Sequence, residues 1–205
     1  MWDGQEAAVP RYVDPEERVR DIVQASLKTL SEGGPAELTL RKIAQRMGGS
    51  ITLITHYFPN REALLTAVLE YVLADADVVV EELSEIADPQ ERLRAALEWF
   101  LPNDEESWVE ERARVALVTH QNAEPLIREH LQRMEPAMRA VLVKGLEDVV
   151  PSAELEGTVD VVRVWVSGMA LSVVEHPDMW TAERQLAALR RFIRMFSSSA
   201  GASAR

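Results

Sequence analysis

The chain has 205 residues, of which 47% are hydrophobic and 27% charged, and it carries a formal net charge of -12 at pH 7. This composition is typical of a globular protein with a sizeable core. The lack of cysteine excludes disulfides, thiolate metal sites and cysteine nucleophiles. The acidity excludes a protein that coats nucleic acid with its whole surface, but it permits a small basic contact patch.

Charge is distributed unevenly along the chain. Residues 1–64 carry 8 Lys/Arg and 9 Asp/Glu, whereas residues 65–205 carry 14 Lys/Arg and 25 Asp/Glu. The segment from Thr39 to Arg61 contains four basic residues and no acidic one. A nearly neutral N-terminal part with a basic segment therefore precedes a strongly acidic body.

The N-terminal part begins with a tail and one helix. Residues 1–13 show no sustained periodicity and are expected to form a flexible tail. Asp14 can cap the first helix, and Pro15 suits its first position. Apolar residues then recur at helical spacing as far as Leu30, and the Gly33-Gly34 pair is typical of a helix end.

Two short helices joined by a glycine turn are predicted next. Thr39 can cap a helix over residues 40–47, and Ser50 can cap another over residues 51–58, with Gly48-Gly49 between them. This arrangement is typical of a helix-turn-helix.

The second short helix has two distinct faces. At 100° per residue, Ile54 and Phe58 share an inward face, while Thr52 and His56 point away from it. The outward face is therefore available for contact with a partner.

The lack of carboxylates in this segment favours contact with DNA, whose dense phosphates repel acidic side chains and attract Lys and Arg. The predicted DNA-contacting residues are Thr39, Arg41, Lys42, Ser50, Ile51, Thr52, Leu53, Thr55, His56, Tyr57 and Arg61.

The residues expected to face the bases include no Arg, Lys, Asn or Gln, so the commonest bidentate base contacts are missing. Thr and apolar side chains can touch thymine methyls, and His56 can donate to guanine. No operator sequence follows from this set. Charge and periodicity alone also allow an acid-free stretch that arose by chance.

The residues that form a wider motif are Thr39, Ile43, Ala44, Gly48, Ser50, Ile54, Tyr57, Phe58, Arg61, Glu62, Leu64 and Leu65, with Arg20, Ile22, Ala25 and Gly34 upstream. With these residues, the segment 15–70 resembles the DNA-binding part of the TetR family of bacterial transcriptional regulators. There are departures from the family pattern. Gly49 stands where an apolar branched residue is usual, Thr52 stands at a small-residue position, and Thr55 replaces a common phosphate-holding tyrosine.

The body is predicted to be all-α. Helical periodicity continues through a long helix over residues 62–86 and five further helices, which gives about nine helices and no strand. We expect an N-terminal three-helix domain over 14–61, a second domain over 62–196 and a flexible tail over 197–205. The resemblance implies that the second domain binds a ligand and dimerises.

Two helices near the C-terminus are candidates for a dimer interface. Residues 159–174 are apolar nearly all round, so that helix needs burial on two sides. The predicted interface residues are Val162, Val166, Met169, Leu186, Leu189 and Ile193. The alternative is a monomeric bundle that buries both helices internally.

Large side chains of the body could line a cavity for a small apolar or amphipathic ligand. The predicted lining residues are Trp99, Phe100, Trp108, Arg112, Thr119, Met138, Trp165 and Met169. The alternative is that these side chains simply fill the core.

Nothing in the sequence indicates an enzyme. The four histidines form no HExxH pattern and are expected on the surface, and there is no GxSxG, phosphate-binding loop or dinucleotide-binding motif. We predict no metal and no cofactor. No secretory signal and no membrane-spanning window is recognised, so a cytoplasmic location and no membrane partner are expected. The resemblance implies that this cytoplasm is bacterial.

The sequence thus predicts a regulator, most simply a repressor. As the resemblance implies, it would bind a palindromic double-stranded DNA operator as a homodimer and be released by a small molecule. The alternative is an acidic helical dimer that acts as a protein-interaction module without specific DNA binding.

Overall fold

The computed structural model describes residues 14–73 and 75–200, and within these ranges every regular element is a helix. Both the predicted N-terminal tail and residues 201–205 lie outside the described residues. The helices are α1 Pro15–Gly33, α2 Leu40–Arg46, α3 Ile51–Tyr57, α4 Arg61–Leu73, α5 Asp75–Ser84, α6 Pro89–Glu98, α7 Glu105–His120, α8 Pro125–Leu146, α9 Leu155–Glu175 and α10 Ala182–Ala200. A short 3-10 helix, Pro35–Glu37, precedes α2.

The all-α prediction is confirmed, with differences at helix ends. Helices α4 and α5 occupy the range predicted as one helix, 62–86, on the two sides of residue 74, which is not described. Helix α8 continues through Pro136. Helix α10 reaches Ala200, so it extends into the segment predicted as the C-terminal tail.

Local capping explains where α1 begins and ends. The Asp14 carboxylate accepts a hydrogen bond of 3.0 Å from the Glu16 backbone N–H, and Pro15 occupies the first turn. Gly34, with a φ of 74°, donates its backbone N–H to the Leu30 carbonyl at 2.9 Å. A positive φ suits glycine, which has no Cβ to clash, so the helix ends there.

One hydrophobic core joins the N-terminal helices to the body. Ile22 and Leu27 of α1 and Ile54 of α3 are fully buried in the same cluster as Ala113 and Leu117 of α7. The three N-terminal helices therefore share a core with the body across the boundary that was predicted at residue 61.

A second core lies between α6, α8, α9 and α10. Trp165 of α9 stacks on Phe192 of α10, with ring centroids 4.1 Å apart and planes 5° from parallel. The buried side chains of this core include four residues predicted at a dimer interface, Val162, Val166, Met169 and Leu189.

These four residues pack within one subunit, so their predicted placement on an interface needs correction. The sequence of α9 is apolar on almost every side, and periodicity alone could not tell which side meets the subunit's own core. The exposed apolar side chains of α9 are Val161, Val164 and Leu171. The other two predicted interface residues, Leu186 and Ile193 of α10, are half-buried.

In the described part of the chain, α9 is the one helix that is long and apolar enough to span a membrane, with a mean hydropathy of 1.4. The sequence had suggested no such window. Because one side of α9 packs into the second core, its composition is also that of a core helix in a soluble bundle.

Candidate nucleic-acid interface and ligand cavity

The predicted helix-turn-helix is present as α2, a glycine turn and α3. The Thr39 hydroxyl accepts a hydrogen bond of 3.2 Å from the Lys42 backbone N–H and so caps α2, as predicted. Gly48 turns the chain with a φ of 65°. Ser50 precedes α3, but its side chain forms no capping hydrogen bond, so that prediction is wrong in its detail.

Helix α3 turns the expected face towards the solvent. Ile54 is 0% exposed and Phe58 is 7% exposed, which confirms the predicted inward face. The predicted base-facing residues Ile51, Thr52, Thr55 and His56 are exposed, whereas Leu53 and Tyr57 are half-buried.

The cations near this face differ in their partners. Arg41 is exposed and forms no ion pair with any described residue. Lys42 Nζ lies 2.8 Å from a Glu37 carboxylate oxygen, and Arg46 Nη1 donates to Glu32 at 3.1 Å. The segment from Thr39 to Arg61 contains no acidic residue, but Glu32 and Glu37, which precede it in the sequence, form ion pairs with two of its cations. Exposed pairs of this kind contribute only about 0–1 kcal/mol, so a phosphate could replace either carboxylate.

Arg61, predicted to contact phosphate, is instead half-buried and bound to partners within the chain. Its Nε donates to the Leu38 carbonyl at 3.0 Å, and its Nη2 donates to the Pro35 carbonyl at 2.9 Å. The same guanidinium forms a bidentate pair with the Glu124 carboxylate, at 3.1 and 2.8 Å. Arg61 thus connects the segment before α2 to the start of α8. Its phosphate contact stays a prediction that would require release from Glu124.

The body contains a cavity of about 160 Å³ between α4, α6, α7, α8 and α9. Three of the predicted lining residues, Trp99, Phe100 and Met138, lie on its wall. Lining residues that the sequence did not single out include Tyr71, Glu110, Glu111, Arg114, Arg163 and Ser167. Their contribution follows from how five helices pack, which no local pattern reveals.

The other predicted lining residues lie elsewhere. Trp165 and Met169 are part of the second core. The Arg112 guanidinium lies over the Trp108 ring, 4.7 Å from its centroid, outside this cavity. Thr119 is exposed and donates its hydroxyl to the Ala116 carbonyl at 2.8 Å. For Trp165 and Met169, the alternative that they fill the core holds.

The cavity wall combines aromatic rings with paired charges. Trp99 and Phe100 meet edge to face, with centroids 4.8 Å apart and an interplanar angle of 76°. Arg114 donates to both carboxylate oxygens of Glu111, at 2.7 and 2.5 Å. Arg163 is paired with Glu135 of α8 at 2.9 Å. The wall thus combines aromatic rings with two arginine–carboxylate pairs.

A hydrogen bond joins the cavity wall to α1. The Tyr71 hydroxyl accepts from Gln24 Nε2 at 2.8 Å, and the same amide group donates to Glu106 of α7 at 3.3 Å. Tyr71 lines the cavity, while Gln24 belongs to the helix that packs behind the helix-turn-helix. The side chain of Tyr71 therefore contacts both the cavity and α1.

One histidine departs from the expected surface position. His130 of α8 is 1% exposed, and burial, together with the nearby Arg133 charge, lowers its pKa from 6.5 to about 4. It is therefore neutral at pH 7. The described residues contain no group of three or more potential metal-ligating side chains.

Comparison with known families decides the classification. Residues 22–68 match the family model for bacterial regulatory proteins of the tetR family. Residues 89–197, just over half of the chain, match the C-terminal model of BetI-type transcriptional repressors. The chain belongs to the TetR family. The matched families are transcriptional regulators, which agrees with the prediction that the chain is not an enzyme.

Individual relatives support the same assignment. The chain is 34% identical over 83 residues to the HTH-type transcriptional regulator BetI 1 of Chromohalobacter salexigens. It is 33% identical over 89 residues to a BetI regulator of Burkholderia ambifaria. These matches cover 40% and 42% of this chain and only 41% and 46% of the respective relatives.

Solved structures share the fold along most of the chain. A transcriptional regulator from Rhodococcus sp. Rha1 has a TM-score of 0.75 at 23% identity, covering 88% of this chain and 96% of that one. A regulator from Saccharomonospora viridis, solved in complex with choline, has a TM-score of 0.73 at 21% identity, covering 87% and 96%. At these identities the likeness establishes the TetR-family fold alone.

The Arg61 bridge predicts that Arg61→Lys will destabilise the protein although the charge is kept. Lysine cannot reach two carbonyls and both oxygens of Glu124 at once, so the free energy of unfolding should fall by about 1–3 kcal/mol. Urea denaturation at fixed protein concentration measures this difference. Arg41→Lys, at an exposed position, is the matched control and should change stability by less than about 0.5 kcal/mol. Equal stability of the two variants would contradict the bridge.

Proposed function

We propose that this chain is a transcriptional repressor that binds a near-palindromic DNA operator as a homodimer and is released by a small quaternary ammonium ligand such as choline. The observation that carries the proposal is the exposed, carboxylate-free face of α3 in a TetR-family fold whose preceding helix, α2, carries the exposed Arg41. A bacterial cytoplasmic location follows from this role, because the chromosome lies there.

In this proposal, α3 contacts the bases of the operator and α2 contacts its phosphates. Helix α3 enters the major groove with Ile51, Thr52, Thr55 and His56 towards the base edges. Arg41 of α2 reaches a phosphate directly, because no described carboxylate competes for it. Lys42 and Arg46 exchange their exposed carboxylate partners for phosphates at little cost. Each such exchange releases counterions from DNA, so binding weakens as salt rises.

The exposed side of α9 supports a two-fold dimer. Val161 is 60% exposed and Val164 is 72% exposed, which is unfavourable for neighbouring apolar side chains left in water. Gly168 lies on the same side, and apart from its own stretch of helix nothing lies within 4 Å of the position that its Cβ would occupy. A helix of a second copy can therefore approach closely there. Two-fold symmetry would then place two α3 helices roughly 34–36 Å apart, on successive turns of the major groove.

The lining of the cavity favours the binding of a small cationic ligand. Its lining carries equal numbers of carboxylates and guanidiniums, so the preference for a cation rests on the rings of Tyr71, Trp99 and Phe100. Aromatic faces attract quaternary ammonium groups, which need no hydrogen bond. Cavities of about 150 Å³ accept molecules of the size of benzene, so a compact ligand can enter. The choline complex of the Saccharomonospora viridis regulator makes choline the first probe to use.

Release follows from the contacts that connect the cavity to α1. A ligand that displaces Tyr71 alters its hydrogen bond with Gln24 and hence the position of α1. Helix α1 packs against α2 and α4, so the two α3 helices of a dimer change their separation and fit the operator less well. A ligand acts in this way only if it binds the two arrangements with different affinity.

A second candidate function is favoured by the ion pairs near α3. Lys42 is held by Glu37 and Arg46 by Glu32, so two cations of the segment already have partners within the chain. A helical dimer that binds a protein partner would also explain this arrangement. Such a protein would show no selective affinity for any duplex.

Selection from a library of short random duplexes, at two salt concentrations, tests the proposal. We expect enrichment of a near-palindrome whose affinity falls steeply as salt rises, since the contacts are largely to phosphates. No enrichment at either salt would refute operator binding and favour the protein-interaction candidate.

The selected operator then permits a matched comparison of two variants. Arg41→Ala should weaken binding at every sequence and reduce the salt slope by about one, because one phosphate contact is lost. Arg94→Ala removes an exposed arginine of α6 that pairs with Glu91 and Glu98 and should leave the slope unchanged. Anisotropy titrations of a labelled operator measure both slopes, and identical slopes would contradict the role of Arg41.

The proposed path of release predicts that Tyr71→Phe will separate ligand binding from operator release. The ring stays in the cavity, so choline should still bind with nearly unchanged affinity, whereas its effect on operator affinity should shrink. Gln24→Leu removes the same hydrogen bond from the other side, together with the bond to Glu106, and should also reduce the effect of choline on operator affinity. Tryptophan fluorescence follows choline binding, and anisotropy follows the operator. A wild-type response of the operator complex in both variants would rule out this path.

A further inference from the structure

We infer that α3 reads its operator chiefly through the methyl groups of thymine, with Ile51 and Thr55 as the contacting side chains. The inference deepens the proposed function and rests on it, because it requires α3 in the major groove. It names the chemical feature of the operator that the helix recognises.

The first observation is an exposed apolar side chain at the start of α3. Ile51 is 45% exposed, and among residues 14–72 it is the one large apolar side chain with such exposure. Ile51 lies only about 60° around the helix from buried Ile54, but as the first residue of α3 it stays exposed at the end of the helix. An apolar group held at this position is suited to an apolar group on its partner.

The second observation concerns the hydroxyl of Thr55. It donates to the Thr52 carbonyl at 3.2 Å, within the same helix. A threonine that bonds to its own helix in this way has satisfied its donor. The groups that remain for a partner outside the helix are the methyl and the acceptor lone pairs of the hydroxyl, and of these the methyl is the apolar one.

The third observation is the lack of side chains that read bases by paired hydrogen bonds. The sequence of α3 is ITLITHY, which contains no Arg, Lys, Asn or Gln. His56 is the only residue on the exposed face of α3 with a ring N–H to offer a base. In the major groove, the one apolar feature that distinguishes a base pair is the C5-methyl of thymine. Thymine is therefore the base that the apolar groups of Ile51 and Thr55 can distinguish by contact.

The spacing of the two side chains sets the spacing of the thymines. Ile51 and Thr55 are four residues apart, which is one helical turn and about 6 Å along the axis. Successive bases of one strand are about 3.4 Å apart along the duplex. Each half-site should therefore present two thymine methyls separated by about two base-pair steps.

Thymine-to-uracil replacement in the selected operator tests the inference, because it removes the methyl and leaves every hydrogen-bonding group in place. Each contacted thymine replaced by deoxyuridine should weaken binding about fourfold per half-site, the effect of exposing one methyl-sized apolar group. Replacement at thymines outside the contacted pair is the internal control and should have no effect.

Two variants assign each methyl to a side chain. Ile51→Ala should abolish the sensitivity to uracil at one thymine of each half-site. Thr55→Ser keeps the hydroxyl and removes only the methyl, so it should abolish the sensitivity at the other. Both positions are exposed, so neither change should prevent folding.

The outcomes separate this inference from the proposed function. An operator that is selected and bound but shows no loss at any uracil would overturn thymine readout and leave the proposed function standing. Sensitivity to uracil that neither variant alters would overturn the assignment to Ile51 and Thr55. If no duplex is selected at all, the proposed function fails and this inference fails with it.

Discussion

The structure depends on the burial of α1 against two partners at once. Ile22 and Leu27 lie in one cluster with the helix-turn-helix on one side and with Leu117 of α7 on the other. Each such side chain contributes roughly 1.5–3 kcal/mol when it is fully buried. The helix-turn-helix therefore has no separate core that would let it move independently of the body. A displacement of α7 is transmitted to α1 by packing.

Polar contacts also connect the N-terminal helices to the body, in addition to this apolar packing. Arg61 joins the chain before α2 to α8, and Gln24 joins α1 to Tyr71 on the cavity wall. A single hydrogen bond contributes only about 0.5–1.5 kcal/mol, but allosteric coupling between two sites is itself typically about 1–3 kcal/mol. A few such contacts would therefore be sufficient for the proposed dependence of the position of α3 on the state of the cavity.

Local features were predictable, and long-range partners were not. The cap at Thr39, the turn at Gly48 and the inward face of α3 depend on neighbours within a few residues, so the sequence indicated them. Arg61 was expected to contact phosphate because its partner, Glu124, lies 63 residues further along the chain. The apolar sequence of α9 indicated two buried sides but not which side met its own core. The cavity depends on five helices, so only part of its lining was predicted.

We propose that the core shared by α1, the helix-turn-helix and α7, together with the contact between Gln24 and Tyr71, makes operator binding and cavity occupation mutually dependent. The most direct test is calorimetric titration of choline into the free protein and into the operator complex. Linkage requires that the operator weaken choline binding by the same factor by which choline weakens operator binding. The account predicts a weaker choline affinity in the operator complex, by about 5–150-fold. Simultaneous binding of choline and operator, with neither affinity changed by the other, would contradict it.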